Sequence, residues 1–75
     1  MKNTALLEWL KHADDEAVNR TGTTHGYLRQ IAYGNKVASP EVAARVEHET
    51  CGAVTRKQLR PDDWMIIWPE LDHAS

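Results

Sequence analysis

Apolar positions recur along this chain at helical spacing, in short runs punctuated by Gly22, Gly34, Pro40, Gly52 and Pro61. Leu6, Leu7 and Leu10 share one helical face with Trp9 beside them, which predicts a first helix over 4–12. A second starts near Asp14 or Asp15, where a carboxylate can cap exposed amides, and stops at Thr21-Gly22. Thr24 suits the N-cap of a third helix over 25–33, with Leu28 and Ile31 pointing inward and Gly34 as its stop. After a loop over 35–38, Ser39-Pro40 opens a fourth helix whose core face is Val42, Ala43 and Val46, ended by Cys51-Gly52.

The C-terminal third allows two readings. Thr55-Arg56-Lys57-Gln58 has the form of a capping box and starts one further turn anchored by Leu59. The weak β character of Ala53-Val54-Thr55 leaves a pair of strands around 53–59 as the competing arrangement. Beyond Pro61, Trp64, Ile67, Trp68 and Leu71 recur at i, i+3, i+4 and i+7, predicting a short helix that lays two tryptophans on the core until Pro69 ends or kinks it. The expected fold class is all-α, a bundle of about five short helices forming a single domain over 1–75, because so small a core cannot be divided.

Composition narrows the functional classes. A 75-residue chain with 41% hydrophobic and 27% charged residues reads as globular rather than disordered, and a dimer partner would help so small a core. The single cysteine, Cys51, excludes an intramolecular disulfide and a cysteine-based zinc site, and fits a reducing cytosol. No apolar run approaches the ~20 residues that span a bilayer, and the N-terminus has no signal-peptide pattern. The expectation is a cytoplasmic, nucleoid-associated protein with no membrane partner. A net charge of −2 argues against a general nucleic-acid coat. The charge is segregated, however: residues 20–36 carry Arg20, Arg29 and Lys36 and no acid, whereas 61–75 carry Asp62, Asp63, Glu70 and Asp72 and no Lys or Arg. A local basic face can bind phosphate on an otherwise acidic protein.

The second and third predicted helices flank a glycine turn in the manner of a helix-turn-helix. Small or modest Ala17 and Val18 let the helices cross, Gly22 accepts a positive φ, and Leu28 with Ile31 ties the second helix to the core. The outward side of that helix would then enter the major groove. Helical spacing puts His25, Gly26, Arg29 and Gln30 there, with Tyr33 further along. Arg29 suits guanine O6 and N7, Gln30 suits adenine N6 and N7, and His25 can donate or accept. Thr23, Thr24, Tyr33, Asn35 and Lys36 are the expected phosphate contacts. Tyr27 fits a packing role better than a stacking platform.

An ordered series of segments carries a resemblance over nearly the whole chain. It comprises Thr21-Gly22-Thr23-Thr24-His25-Gly26-Tyr27-Leu28-Arg29-Gln30-Ile31-Ala32-Tyr33-Gly34, Ser39-Pro40-Glu41, Gly52-Ala53-Val54-Thr55-Arg56, Leu59-Arg60-Pro61-Asp62-Asp63-Trp64 and Trp68-Pro69-Glu70-Leu71. In these the chain resembles the Cro/CII-like phage and prophage regulators grouped with YdaS-type antitoxins. The resemblance implies a lambda-repressor-like helical fold and a sequence-specific transcriptional regulator, a Cro-like repressor dimeric on a pseudopalindromic operator in double-stranded DNA. It implies a recognition helix over 25–33 with His25, Gly26, Arg29 and Gln30 as base readers. Val18 and Thr21 depart from the alanine and leucine common at those positions, which bears on the crossing angle of the two helices.

Other chemistries find little material. His12, His25, His48 and His73 are scattered, and His48 with Cys51 is a lone i, i+3 pair, so no metal or other cofactor is expected. Neither a nucleophilic triad nor a phosphate-cradling glycine loop can be assembled, so the chain is not read as an enzyme. A homodimer contact is expected through Met65 and Ile66. The alternative is an antitoxin that neutralises a protein toxin through an anchor of Trp64, Met65, Ile66 and Trp68.

Overall fold

Side-chain caps decide where the longer helices begin. In the computed structural model, which describes residues 2–73 and their side chains through Leu71, Asn3, Asp14, Thr24 and Ser39 each accept the backbone N–H of the residue three further on. They open α1 (Thr4–His12), α2 (Asp15–Arg20), α3 (His25–Ala32) and α4 (Pro40–Glu49). Each such cap satisfies an amide that the helix itself cannot, worth ~1 kcal/mol. Thr55 opens α5 (Arg56–Leu59) with a reciprocal capping box, its hydroxyl accepting from Gln58 N–H at 3.1 Å while Gln58 Oε1 accepts from Thr55 N–H at 3.4 Å. Two single turns follow, α6 (Trp64–Ile67) and α7 (Glu70–His73).

The apolar stripes meet in one buried cluster. Leu6 and Leu10 of α1, Val18 of α2, Leu28, Ile31 and Ala32 of α3, and Ala43 and Val46 of α4 are joined there by Ala38, Val54 and Leu59. Helix α1 packs on α3, while α2 and α5 pack on α4. Asn3 N–H donates to the Ala32 carbonyl at 2.6 Å, so the start of α1 closes the end of α3. Arg20 at the end of α2 pairs with Glu49 at 2.9 Å, and Arg45 donates to the Arg20 carbonyl while pairing with Glu41. These contacts fasten α2 across α4.

The C-terminal third departs from expectation in two ways and decides the open choice over 53–59 for the capping-box turn. Seven helical segments stand where about five were expected: α5 is a separate turn, and the stripe from Trp64 to Leu71 is broken into α6 and α7. Trp68 has φ −129° and ψ 69°, as the residue before proline must leave the helical region, and the chain restarts only at Glu70. Among the described residues no strand forms over 53–59, since Val54 N–H donates to the Thr50 hydroxyl at 3.1 Å instead of to a ladder. Both tryptophans are half-buried, and of the two expected on the core Trp68 packs against it while Trp64 does not. Arg56 lies 5.2 Å from the Trp68 ring centre and Lys57 Nζ 4.4 Å from that of Trp64. The expected aromatic anchor is therefore covered by the chain's own cations, and of its four members only Met65 and Ile66 are well exposed, at 49% and 78%. Asp72 of the acidic stretch and His73 lie outside the described side chains. A smaller difference is that α3 ends at Ala32, with Tyr33 as its cap.

Helix α4 ends on an uncommon residue. Cys51 N–H donates to His48 O and Gly52 N–H to Glu47 O, a Schellman ending that places Cys51 in the left-handed region at φ 55°. A side chain there costs roughly 1–2 kcal/mol. Cys51→Gly should therefore raise unfolding stability by about 0.5–1 kcal/mol after the greater entropy of unfolded glycine is subtracted, measured by urea denaturation.

The same ending aims Glu47 at α5. Glu47 Oε1 accepts from Arg56 N–H at 2.9 Å and from Arg56 Nε at 2.8 Å. Partial burial pushes the Glu47 carboxyl up, but the Arg56 amide and guanidinium together outweigh it and hold the carboxyl below its ordinary value. A folded value below the unfolded one means stability that is present at neutral pH and lost as pH falls through the folded value. Glu47→Gln should thus melt below the parent at pH 7, and the gap should close as pH falls below about 4.5. A gap that stayed constant down to pH 3 would contradict the pairing.

Candidate nucleic-acid interface

The joint between α2 and α3 is held from inside. Val18 and Thr21, the two departures from the common helix-turn-helix pattern, are both buried, and Thr21 is fully so. A hydroxyl where leucine is usual needs a partner, and Thr21 Oγ1 donates to the Val18 carbonyl one turn back. With that proton committed, the 2.7 Å contact between Thr21 and Thr23 must be donated by Thr23. Gly22 takes the positive φ of 82° that the turn requires. Thr24 then caps α3 by accepting Tyr27 N–H at 3.1 Å, which leaves its hydroxyl proton uncommitted among the described residues.

Helix α3 is two-sided. Leu28, Ile31 and Ala32 are buried, while Gly26, Arg29, Gln30 and the capping Tyr33 are exposed. His25 is partly covered, with Nδ1 3.8 Å from Asp15 Oδ1 on α2. Tyr27 packs against the core, as expected of it. The structure therefore brings His25, Gly26, Arg29, Gln30 and Tyr33 to one helix, with Thr23 and Thr24 at its entry and Asn35 and Lys36 at its exit. Arg29 and Tyr33 also line a shallow groove against α1, beside Lys11 and Glu8. Asn35 Nδ2 donates to Gln30 Oε1 at 2.9 Å, so these two side chains meet each other.

Glycine at position 26 answers no need of the fold. A Cβ built there would meet nothing within 4 Å, and Gly26 is absent from the positive-φ glycines. The residue leaves the outer surface of α3 bare without relieving any internal contact.

Charge is distributed by pairing. Of the five arginines, Arg20, Arg45, Arg56 and Arg60 pair with Glu49, Glu41, Glu47 and Asp63. Among the described residues Arg29 has no acid partner. Arg20, counted in the basic stretch, is thus neutralised against α4. Two lysines replace it: Lys36 Nζ lies 5.8 Å from the Tyr27 ring centre and Lys2 Nζ 5.6 Å from that of Tyr33. Lys2 was missed from the sequence because thirty-one positions separate it from Tyr33, and only the docking of α1 on α3 brings them together.

No family model matches the chain. A relative does: the prophage transcriptional regulatory protein of Escherichia coli (strain K12) is 42% identical to it over 52 residues, which span 69% of this chain and 79% of that protein.

Proposed function

Because the chain belongs to the family of that prophage transcriptional regulator, we propose that it binds operator DNA through the outward face of α3 and acts as a Cro-like repressor. In this reading α3 lies in the major groove. His25, Gly26, Arg29 and Gln30 face base edges, while Thr24, Tyr33, Asn35, Lys36 and, newly, Lys2 face phosphates. Thr23 acts from behind, its proton held by Thr21. A homodimer on a pseudopalindromic site fits the exposed Met65 and Ile66, which are free to cover one another across a two-fold axis.

Gly26 carries this reading. Glycine within a helix is less stable than alanine by up to ~1 kcal/mol, and the interior does not require it. A surface approaching α3 from outside does. Gly26→Ala should therefore raise the melting temperature and yet weaken binding to the DNA flanking the gene, as read by thermal denaturation and gel shift on the same preparation. Equal or tighter operator binding by the alanine variant would remove the close approach.

Arg29 and Lys36 separate the two kinds of contact. Arg29→Ala should weaken operator binding by about 1–3 kcal/mol, relax preference at one base position and leave the melt unchanged. Lys36→Ala should weaken binding evenly across sequences and reduce the slope of log affinity against log salt by about 1. Titrations against operator and scrambled duplex at several salt concentrations read both.

A further inference from the structure

Between α3 and α4 the chain passes through two exposed residues, Lys36 and Val37, whose backbone makes no hydrogen bond among the described residues. The conformation of such a stretch is set by its two ends. One end is held by α3, where Asn35 N–H donates to Gln30 O at 2.9 Å. The other is held by a side chain 22 positions away, since Arg60 Nη1 donates to the carbonyl of the fully buried Ala38. Arg60 is itself braced: its Nε and Nη2 donate to Oδ1 and Oδ2 of Asp63 at 3.0 and 2.6 Å, a bidentate pair. A guanidinium only donates, and its three bonds end on a carboxylate and a carbonyl that only accept, so the polarity of the set is fixed. Lys36, Val37, Arg60 and Asp63 line one groove, and the Lys36 ammonium reaches the ring of Tyr27 on α3.

We propose that Arg60 is a positioning residue for DNA binding: braced by Asp63, it holds the Ala38 carbonyl and with it the loop that presents Lys36 to phosphate. The proposal rests on the phosphate-contact role given to Lys36 above. The charge of Arg60 is taken up by Asp63 and its side chain is only 20% exposed, so its effect on DNA passes through the loop. A lysine on a loop that must be ordered at the moment of contact loses much of what the contact gains, because the lost backbone freedom opposes binding. Fixing the loop in the free protein removes that loss.

The test uses two changes that alter charge in opposite directions. Arg60→Met keeps the apolar stem and removes a positive charge, whereas Asp63→Ala removes a negative one, so action through charge alone would move the slope of log affinity against log salt in opposite directions. Positioning predicts the same direction for both, because either change releases Ala38. Full-length parent, Lys36→Ala, Arg60→Met, Asp63→Ala and the double variant of Arg60→Met with Lys36→Ala should be titrated against operator duplex at several salt concentrations, below every melting transition. Lys36→Ala should reduce the slope by about 1. Arg60→Met should reduce it by more than half that amount, and Asp63→Ala should reduce it although the chain becomes more positive. Within Arg60→Met, the added Lys36→Ala should have less than half of its effect in the parent. The Asp63 side chain does not cap α6, so Asp63→Ala still decides the matter if Arg60→Met fails to fold. The positioning role is overturned if Asp63→Ala leaves the slope unchanged or steepens it, or if Lys36→Ala keeps half or more of its effect within Arg60→Met. If Lys36→Ala leaves the slope of the parent unchanged, the phosphate role of Lys36 falls, and the positioning role with it.

Discussion

The burial of Leu28 and Ile31 is the interaction on which the rest depends. A helix of eight residues does not persist in water by itself, since nucleation costs more than so few hydrogen bonds return. Helix α3 exists because those two side chains and Ala32 are packed against α1, and because the Asn3 N–H closes the Ala32 carbonyl from the same direction. Burying a side chain of that size contributes about 1.5–3 kcal/mol, comparable to everything the caps add. Fixing α3 from one side only leaves the other side with no structural duty. The outer face can then carry a glycine, an unpaired arginine and a glutamine without loss to the core.

Electrostatics follow the same division. Four arginines are taken up by glutamates and an aspartate that fasten α2 to α4, α4 to α5 and α5 to the start of α6. Those pairs lie at intermediate or exposed positions, where their net contribution is modest, and their larger effect is on where positive charge remains. Among the described residues it remains on Arg29, on the lysines beside Tyr27 and Tyr33, and on Lys57 against Trp64. A chain of net charge −2 thereby keeps a cationic rim around one helix. This resolves the apparent conflict between an acidic composition and a nucleic-acid partner.

Much of the architecture was legible in the chain because it is governed by local chemistry. The limits of α1, α2 and α4, the caps at Asp14, Thr24, Ser39 and Thr55, and the stop at Gly34 follow from hydrogen bonds spanning three to five residues. The same periodicity separated Leu28 and Ile31 from His25, Gly26, Arg29 and Gln30. It failed beyond Pro61, where the helical stripe was real but proline at 69 removed an N–H and forced Trp68 out of the helix. The strand alternative failed because a side chain, Thr50, took the amide that a neighbouring strand would have needed.

What the sequence determined by itself was therefore the helix-turn-helix and the outward set on its second helix, since both depend on spacing and on residues that cap or turn. The tertiary structure decided which charges are free, that Lys2 joins the face of α3, and that the tryptophans are covered by Arg56 and Lys57. The physical reason is common to all three: pairing depends on distance in space, and a pattern of residue types records distance only along the helix in which it is read.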